Sequence, residues 1–216
     1  VILYWFTFHM IRSTIAYYPM VLIHKPASFQ TMLMVLLFGG AALFFVLISM
    51  LSKKFSNKTI MLSGMVTFAL FLCITYFIDT LVNYPVSIAG IETTGAVVLA
   101  CLQMFLIGYP VSVLLVIPNA MVADISEVDA DMRGMNREAM FFGTQGLFMK
   151  INYGIAAAIV AALFATFGKD VAAPLGVKLS GPVAAIFALA GFLILFKYPQ
   201  DWISDKLNAI RQREGS

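Results

Sequence analysis

Two cations stand where charge is expensive. Arg12 lies near the middle of the first long apolar run and Lys150 in the interior of the fifth, and each costs about 2.5–3.5 kcal/mol at mid-helix on insertion scales. A charge kept at that cost marks a solute or ion pathway by default; the plainer readings are snorkelling or a structural hydrogen bond. Gly146, Lys150, Gly154, Ala158 and Ala162 recur every fourth residue. This puts the lysine on a stripe of small residues of the kind that lets helices approach, so it is expected to face protein or a cavity rather than lipid. Gln145 lies about 140° around the same helix from Lys150, so the two line one site only if the cavity is broad. Thr144 adjoins them. In the first run Trp5, His9, Arg12 and Ala16 share a face. His9 is either a group that titrates near neutral pH or, more commonly for such a histidine, a hydrogen-bonded packing residue. No Asp or Glu interrupts the interior of any run. The partners expected for the two cations are therefore a bound anion, water, or carboxylates on another polypeptide segment.

A second cluster is polar throughout: Asp124, Glu127, Asp129, Asp131, Arg133, Arg137 and Glu138. Four nearby carboxylates suit a divalent metal, but their spacing does not follow the calcium-loop pattern. A solvated loop forming salt bridges to the lysines of a neighbouring loop is the stronger expectation. The sequence has no phosphate-cradling glycine loop, no zinc-ligand spacing and no Ser-His-Asp order. Enzyme chemistry therefore has little support, and no cofactor is expected. Cys73 and Cys101 both sit in apolar runs, as inert small hydrophobes.

The elements that must position these residues are spans. Of 216 residues 61% are apolar and 12% charged, and mean hydropathy is +0.92; a soluble domain carries about 25% charged residues. A spanning helix takes about 20 apolar residues, and runs occur at about 1–23, 31–51, 59–78, 96–118, 139–167 and 182–198. The expectation is an all-α membrane protein with a six-helix bundle over residues 1–200 and an amphipathic tail over 201–216. Lys53, Lys54, Lys58, Arg133, Arg137, Lys197, Lys206, Arg211 and Arg213 fall on one side, and Lys25, Lys169 and Lys178 on the other. This imbalance places the C-terminus in the cytosol. In the tail Trp202, Ile203, Leu207 and Ile210 alternate with charges at near-helical spacing, which suits a helix lying on the inner membrane surface or a solvated helix end. The chain starts at Val1, and its first run has no basic anchor, so an upstream segment is expected.

Ala123-Asp124-Ile125-Ser126-Glu127-Val128-Asp129, continuing through Gly134, Arg137-Glu138 and Phe141-Phe142-Gly143, resembles the fourth-to-fifth loop in the C-terminal half of glycoside-pentoside-hexuronide:cation symporters. These are the melibiose-carrier-like branch of the major facilitator superfamily. Val128 replaces that loop's usual Tyr, and Ala130 or Asp131 its downstream Glu. Gln145 and Lys150 stand at the spacing of a Gln and a membrane-embedded Lys in the family's next helix. Ile11-Arg12-Ser13 with Tyr17-Tyr18 resembles a pattern in its seventh helix, and residues 52–58 a short basic loop after its eighth.

The resemblance implies helices seven to twelve of a twelve-helix fold, lodged in the plasma membrane and paired with an N-terminal six-helix half. It also implies symport of a sugar or glycoside with H⁺ or Na⁺ by alternating access. By the same resemblance Lys150 pairs with coupling carboxylates of the other half, Gln145 bonds a substrate hydroxyl, and Arg12 and Tyr17 are secondary cavity or gating residues. The segment from Asp124 to Glu138 then latches the cytosolic side. The alternative is a half-size membrane protein that dimerises into a pore or scaffold, where Arg12 and Lys150 would favour anions. Lipid and a sugar-like molecule are the expected partners; nucleic acid is not.

Overall fold

A computed structural model describes residues 2–88 and 91–214; position 1 of the first expected span and positions 215 and 216 of the expected tail lie outside the described residues. The chain runs α1 (Ile2–Thr14), a π-helical turn (Tyr18–Leu22), α2 (Phe29–Leu51), α3 (Asn57–Ile74), two 3₁₀ turns (Thr75–Phe77 and Asp79–Leu81), β1 (Pro85–Ile88), β2 (Ile91–Thr94), α4 (Gly95–Arg133), α5 (Glu138–Phe167), α6 (Leu175–Phe196) and α7 (Gln200–Glu214). Among the described residues five helices, α2 to α6, are long and apolar enough to cross a membrane.

The first apolar run is not one continuous helix. Pro19 has no N–H to return to the Ile15 carbonyl, so α1 stops at Thr14; the Tyr18 amide bonds Ile15 O instead at 3.3 Å, and the chain resumes as a π turn. At α3, the Ser56 hydroxyl accepts the Thr59 amide as an N-cap. At the far end of α4, Gly134 adopts φ 68°, the left-handed conformation that lets a helix close without a Cβ clash.

The connection expected between 79 and 95 contains a small antiparallel hairpin, with Val86 opposite Thr93. It pairs backbone groups that no helix reaches. α6 begins earlier than its apolar run because Leu175 to Gly181 are already helical, and this brings Lys178 into the helix.

α2 packs on α4, α3 on α4 and α6, and α1 on α5 and α6. Small residues set the closest approach: a Cβ on Gly108 would lie 2.5 Å from the Ala41 nitrogen, and one on Gly40 2.5 Å from the Phe105 carbonyl oxygen. Hydrogen bonds add direction. The Tyr4 hydroxyl donates to Pro110 O at 2.6 Å, and Gln103 Nε2 donates to Phe71 O and Thr75 Oγ1 at 2.7 and 2.8 Å. α5 is the outlier. Along its length only Asn152, Ala156 and Val160 are buried, so most of its surface is open.

Candidate functional site

The site is built where α1 meets α5. The two helices run side by side in the same direction: Asn152 Nδ2 donates to Ile2 O at 2.9 Å, His9 and Arg12 meet Tyr153, and Tyr17 meets Phe164. The Tyr153 ring is the hub, although sequence reasoning passed it over. His9 stacks edge-on against it with ring centroids 5.3 Å apart, and the Arg12 guanidinium lies 6.0 Å from its centroid. Lys150 is one turn earlier on α5, where side chains three apart are neighbours.

His9 is 8% exposed, and neither ring nitrogen has a hydrogen-bond partner among the described residues; the Trp5 indole N–H beside it has none either. A buried polar group left unmade costs about 1–3 kcal/mol, so three such atoms together are a feature to explain. The expected hydrogen-bonded packing histidine is not what the structure contains. Arg12 also borders a cavity of about 440 Å³ between α1, α2 and α4, lined otherwise by apolar chains such as Phe8, Met34, Phe38 and Leu115.

Lys150 is exposed, and among the described residues it has no ion pair or hydrogen bond. Its small-residue stripe does not pack on another helix of this chain: a Cβ on Gly146 or Gly154 would meet nothing within 4 Å. The expected protein contact is therefore absent among the described residues, because α5 turns its other face, Asn152, Ala156 and Val160, to the bundle. Gln145 is on a different side, donating to Asn119 Oδ1 of α4 at 3.2 Å, while its own carbonyl oxygen is buried without a partner among the described residues. Asn119 follows Pro118, one residue beyond the fourth apolar run, and no spacing in the sequence singles it out. Thr144 is exposed and bonds back to Met140 O. Tyr17 does not join this group. It packs on Phe164 at 4.7 Å with Lys169 over its ring, toward the hairpin end of the bundle.

At that hairpin end Asp79 holds Lys178 at 2.6 Å and His24 at 3.5 Å, joining α6, the α3 exit and the α1–α2 connection.

The segment from Asp124 to Glu138 is mostly helix rather than a loop. α4 continues through Arg133, and only residues 134–137 connect it to α5. At 39 residues α4 extends about 58 Å, against about 30 Å of hydrocarbon, so its last third projects beyond the bilayer. Asp129 accepts a fork from Arg137, Nη2 to Oδ2 at 2.7 Å and Nε to Oδ2 at 3.0 Å, and also accepts Arg133 Nε at 2.9 Å. The Arg137 hydrogen bonds, aided by the charge of both arginines, hold its carboxyl below the ordinary carboxylate range.

The salt bridges expected toward the lysines of residues 52–58 are not formed. Asp124 instead accepts Asn57 Nδ2 at 3.1 Å, and Lys58 donates to Tyr198 O at 2.7 Å. Glu127 and Glu138 are exposed; the Glu138 amide is capped by Asn136 Oδ1. Among the described residues no three His, Cys, Asp or Glu side chains gather as metal ligands. The tail forms α7, which buries Ile203, Leu207 and Ile210 against Val128 and Ile125 of α4. Its apolar stripe thus faces protein, and Trp202 is left half exposed.

Long apolar helices, glycine-mediated crossings and polar side chains kept at mid-span define a multi-pass membrane protein built to move solutes. The sequence pattern of the MFS/sugar transport protein family matches residues 1–201, and the chain belongs to that family, one of transporters rather than enzymes. No curated protein and no solved structure matches it.

Proposed function

We propose that the chain is the C-terminal part, helices seven to twelve, of a melibiose-carrier-like symporter that moves a sugar or glycoside with H⁺ or Na⁺ by alternating access. The run from Ile2 to Leu22 acts as the sixth span despite its broken middle. The observation that carries this reading is the open face of α5: Lys150 stands at mid-helix without a partner among the described residues, between glycines that leave room for another helix. An N-terminal six-helix half, in the same chain or a separate one, covers that face, and its carboxylates pair with Lys150 and bind the coupling cation. Substrate then lies near the midplane between the halves, where Gln145 and Asn119 present amide groups to sugar hydroxyls and Thr144, Arg12 and His9 complete the wall. The α4 extension with Asp124, Asp129, Arg133 and Arg137 serves as the cytosolic gate, in the plasma membrane, with α7 inside the cell.

The test is glycoside uptake by the full protein in proteoliposomes, with and without an imposed H⁺ or Na⁺ gradient. Lys150→Gln is expected to abolish accumulation against a gradient while leaving the protein folded and monodisperse. Normal coupled accumulation in that variant would remove the reading, and flux of the unaltered protein indifferent to either gradient would favour a passive pore.

A further inference from the structure

We infer that the cavity between α4, α7 and the α2–α3 connection binds a zwitterion carrying an ammonium and a phosphate, the chemistry of a phosphoethanolamine group. The cavity is about 300 Å³ and its wall is polar: Ser52 ends α2, Asn57 begins α3, Asp124 comes from α4, and Gln200, Asn208 and Arg211 come from α7. Asp124 accepts Asn57 Nδ2 on one oxygen at 3.1 Å, and no cation pairs with it among the described residues. Arg211 lines the same space and has neither an ion pair nor a hydrogen bond among the described residues. A carboxylate and a guanidinium thus share one cavity without meeting. Gln200 donates its amide to Ser204 Oγ at 3.1 Å and leaves its carbonyl oxygen without a partner among the described residues. Asp124 and Gln200 therefore call for donors, and Arg211 for an anion. A simple anion would be opposed by Asp124, and a simple cation by Arg211. One molecule with an ammonium at one end and a phosphate at the other satisfies both, and the guanidinium fork matches phosphate oxygens. Asp124 lies in the third of α4 that projects beyond the hydrocarbon, so a bilayer headgroup and a free solute can both reach the cavity. A ligand held by Asp124 and Arg211 also ties α7 to α4.

The test uses the full protein, freed of lipid in detergent, with tryptic cleavage after Lys197 reporting on α7. Three soluble probes are compared: phosphoethanolamine; phosphocholine, which keeps both charges but has no N–H; and glycerol 1-phosphate, which has the anion alone. Phosphoethanolamine at twice its Kd is expected to slow that cleavage about threefold. It should bind about tenfold or more tightly than either other probe, the ratio for one charge-assisted hydrogen bond. Arg211→Gln and Asp124→Asn are each expected to weaken it by about tenfold or more, and Arg211→Lys to restore part of the loss. Cleavage without any probe shows whether a variant has itself loosened α7, so a docking defect is not read as lost binding. Nanodiscs of phosphatidylcholine, with or without added phosphatidylethanolamine, separate the two sources. Protection by the lipid that soluble phosphoethanolamine does not increase assigns the site to a bilayer headgroup; protection only when the soluble probe is added assigns it to a free solute. Equal responses to the three probes, or a response that survives Arg211→Gln, would refute the site. No response in detergent or in either disc would do the same. None of these readings measures transport, so the symporter assignment stands or falls separately.

Discussion

Gly39 and Gly40 are neighbours in sequence and opposites in consequence. A Cβ on Gly39 meets nothing within 4 Å, whereas one on Gly40 would sit 2.5 Å from the backbone oxygen of Phe105. Backbone cannot move aside as a flexible side chain can. Gly40→Ala is therefore expected to push α2 off α4 and lower stability by about 1–3 kcal/mol. Gly39→Ala should be neutral or gain up to about 1 kcal/mol from helix propensity. Thermal unfolding of the two variants in the same detergent compares them directly, and equal midpoints would mean that α2 and α4 are not in close contact. At this scale the sequence was only partly readable. Arg12, Lys150 and Gln145 stood out because a polar side chain is costly in an apolar run. Tyr153 and Asn119 did not, because an aromatic or an amide near a proline has many uses, and only the approach of α1 and α4 makes them neighbours of His9 and Gln145.

Among the elements, the apolar runs located α2 to α6 closely, since lipid imposes length and composition directly. The errors fell where polar sequence was equated with irregular backbone. Asp129 and Arg133 are four apart and pair as they do on a helix surface, while Ile125 and Val128 are three apart and form half of an apolar stripe. The other half is on α7, more than seventy residues later, so neither stripe explained itself in isolation. Their union predicts that α7 is held by a few apolar contacts assisted by Arg213 to Asp131 at 3.3 Å. Leu207→Asp should release it, because a carboxylate against Val128 loses its water without gaining a partner. Limited proteolysis of the variant is expected to cut near residues 198–200 at least about tenfold faster, while cleavage elsewhere is unchanged; the fold-change corresponds to about 1.4 kcal/mol of lost docking. An unaltered cleavage rate would show that α7 is anchored in some other way.

Across the whole molecule, the two ends have different chemistry. One carries the 3₁₀ turns, the hairpin and Asp79 with Lys178 and His24; the other carries α7, the α4 extension and most of the arginines. A cysteine placed at Asp205, exposed on α7, should react with a membrane-impermeant maleimide only in inverted vesicles, and one placed at Tyr84 only in intact cells. The opposite pattern would reverse the proposed orientation. Joining the two ends is α4, one unbroken helix in spite of Pro110 and Pro118. Its backbone touches α2 at Gly108, about 20 Å from its start and about 38 Å from its end. It is a lever of unequal arms resting on a glycine fulcrum: a given tilt moves the Asp129 end roughly twice as far as the hairpin end. A displacement too small to open a path beside the hairpin would thus be enlarged at the opposite surface, where it would strain the Arg137 fork.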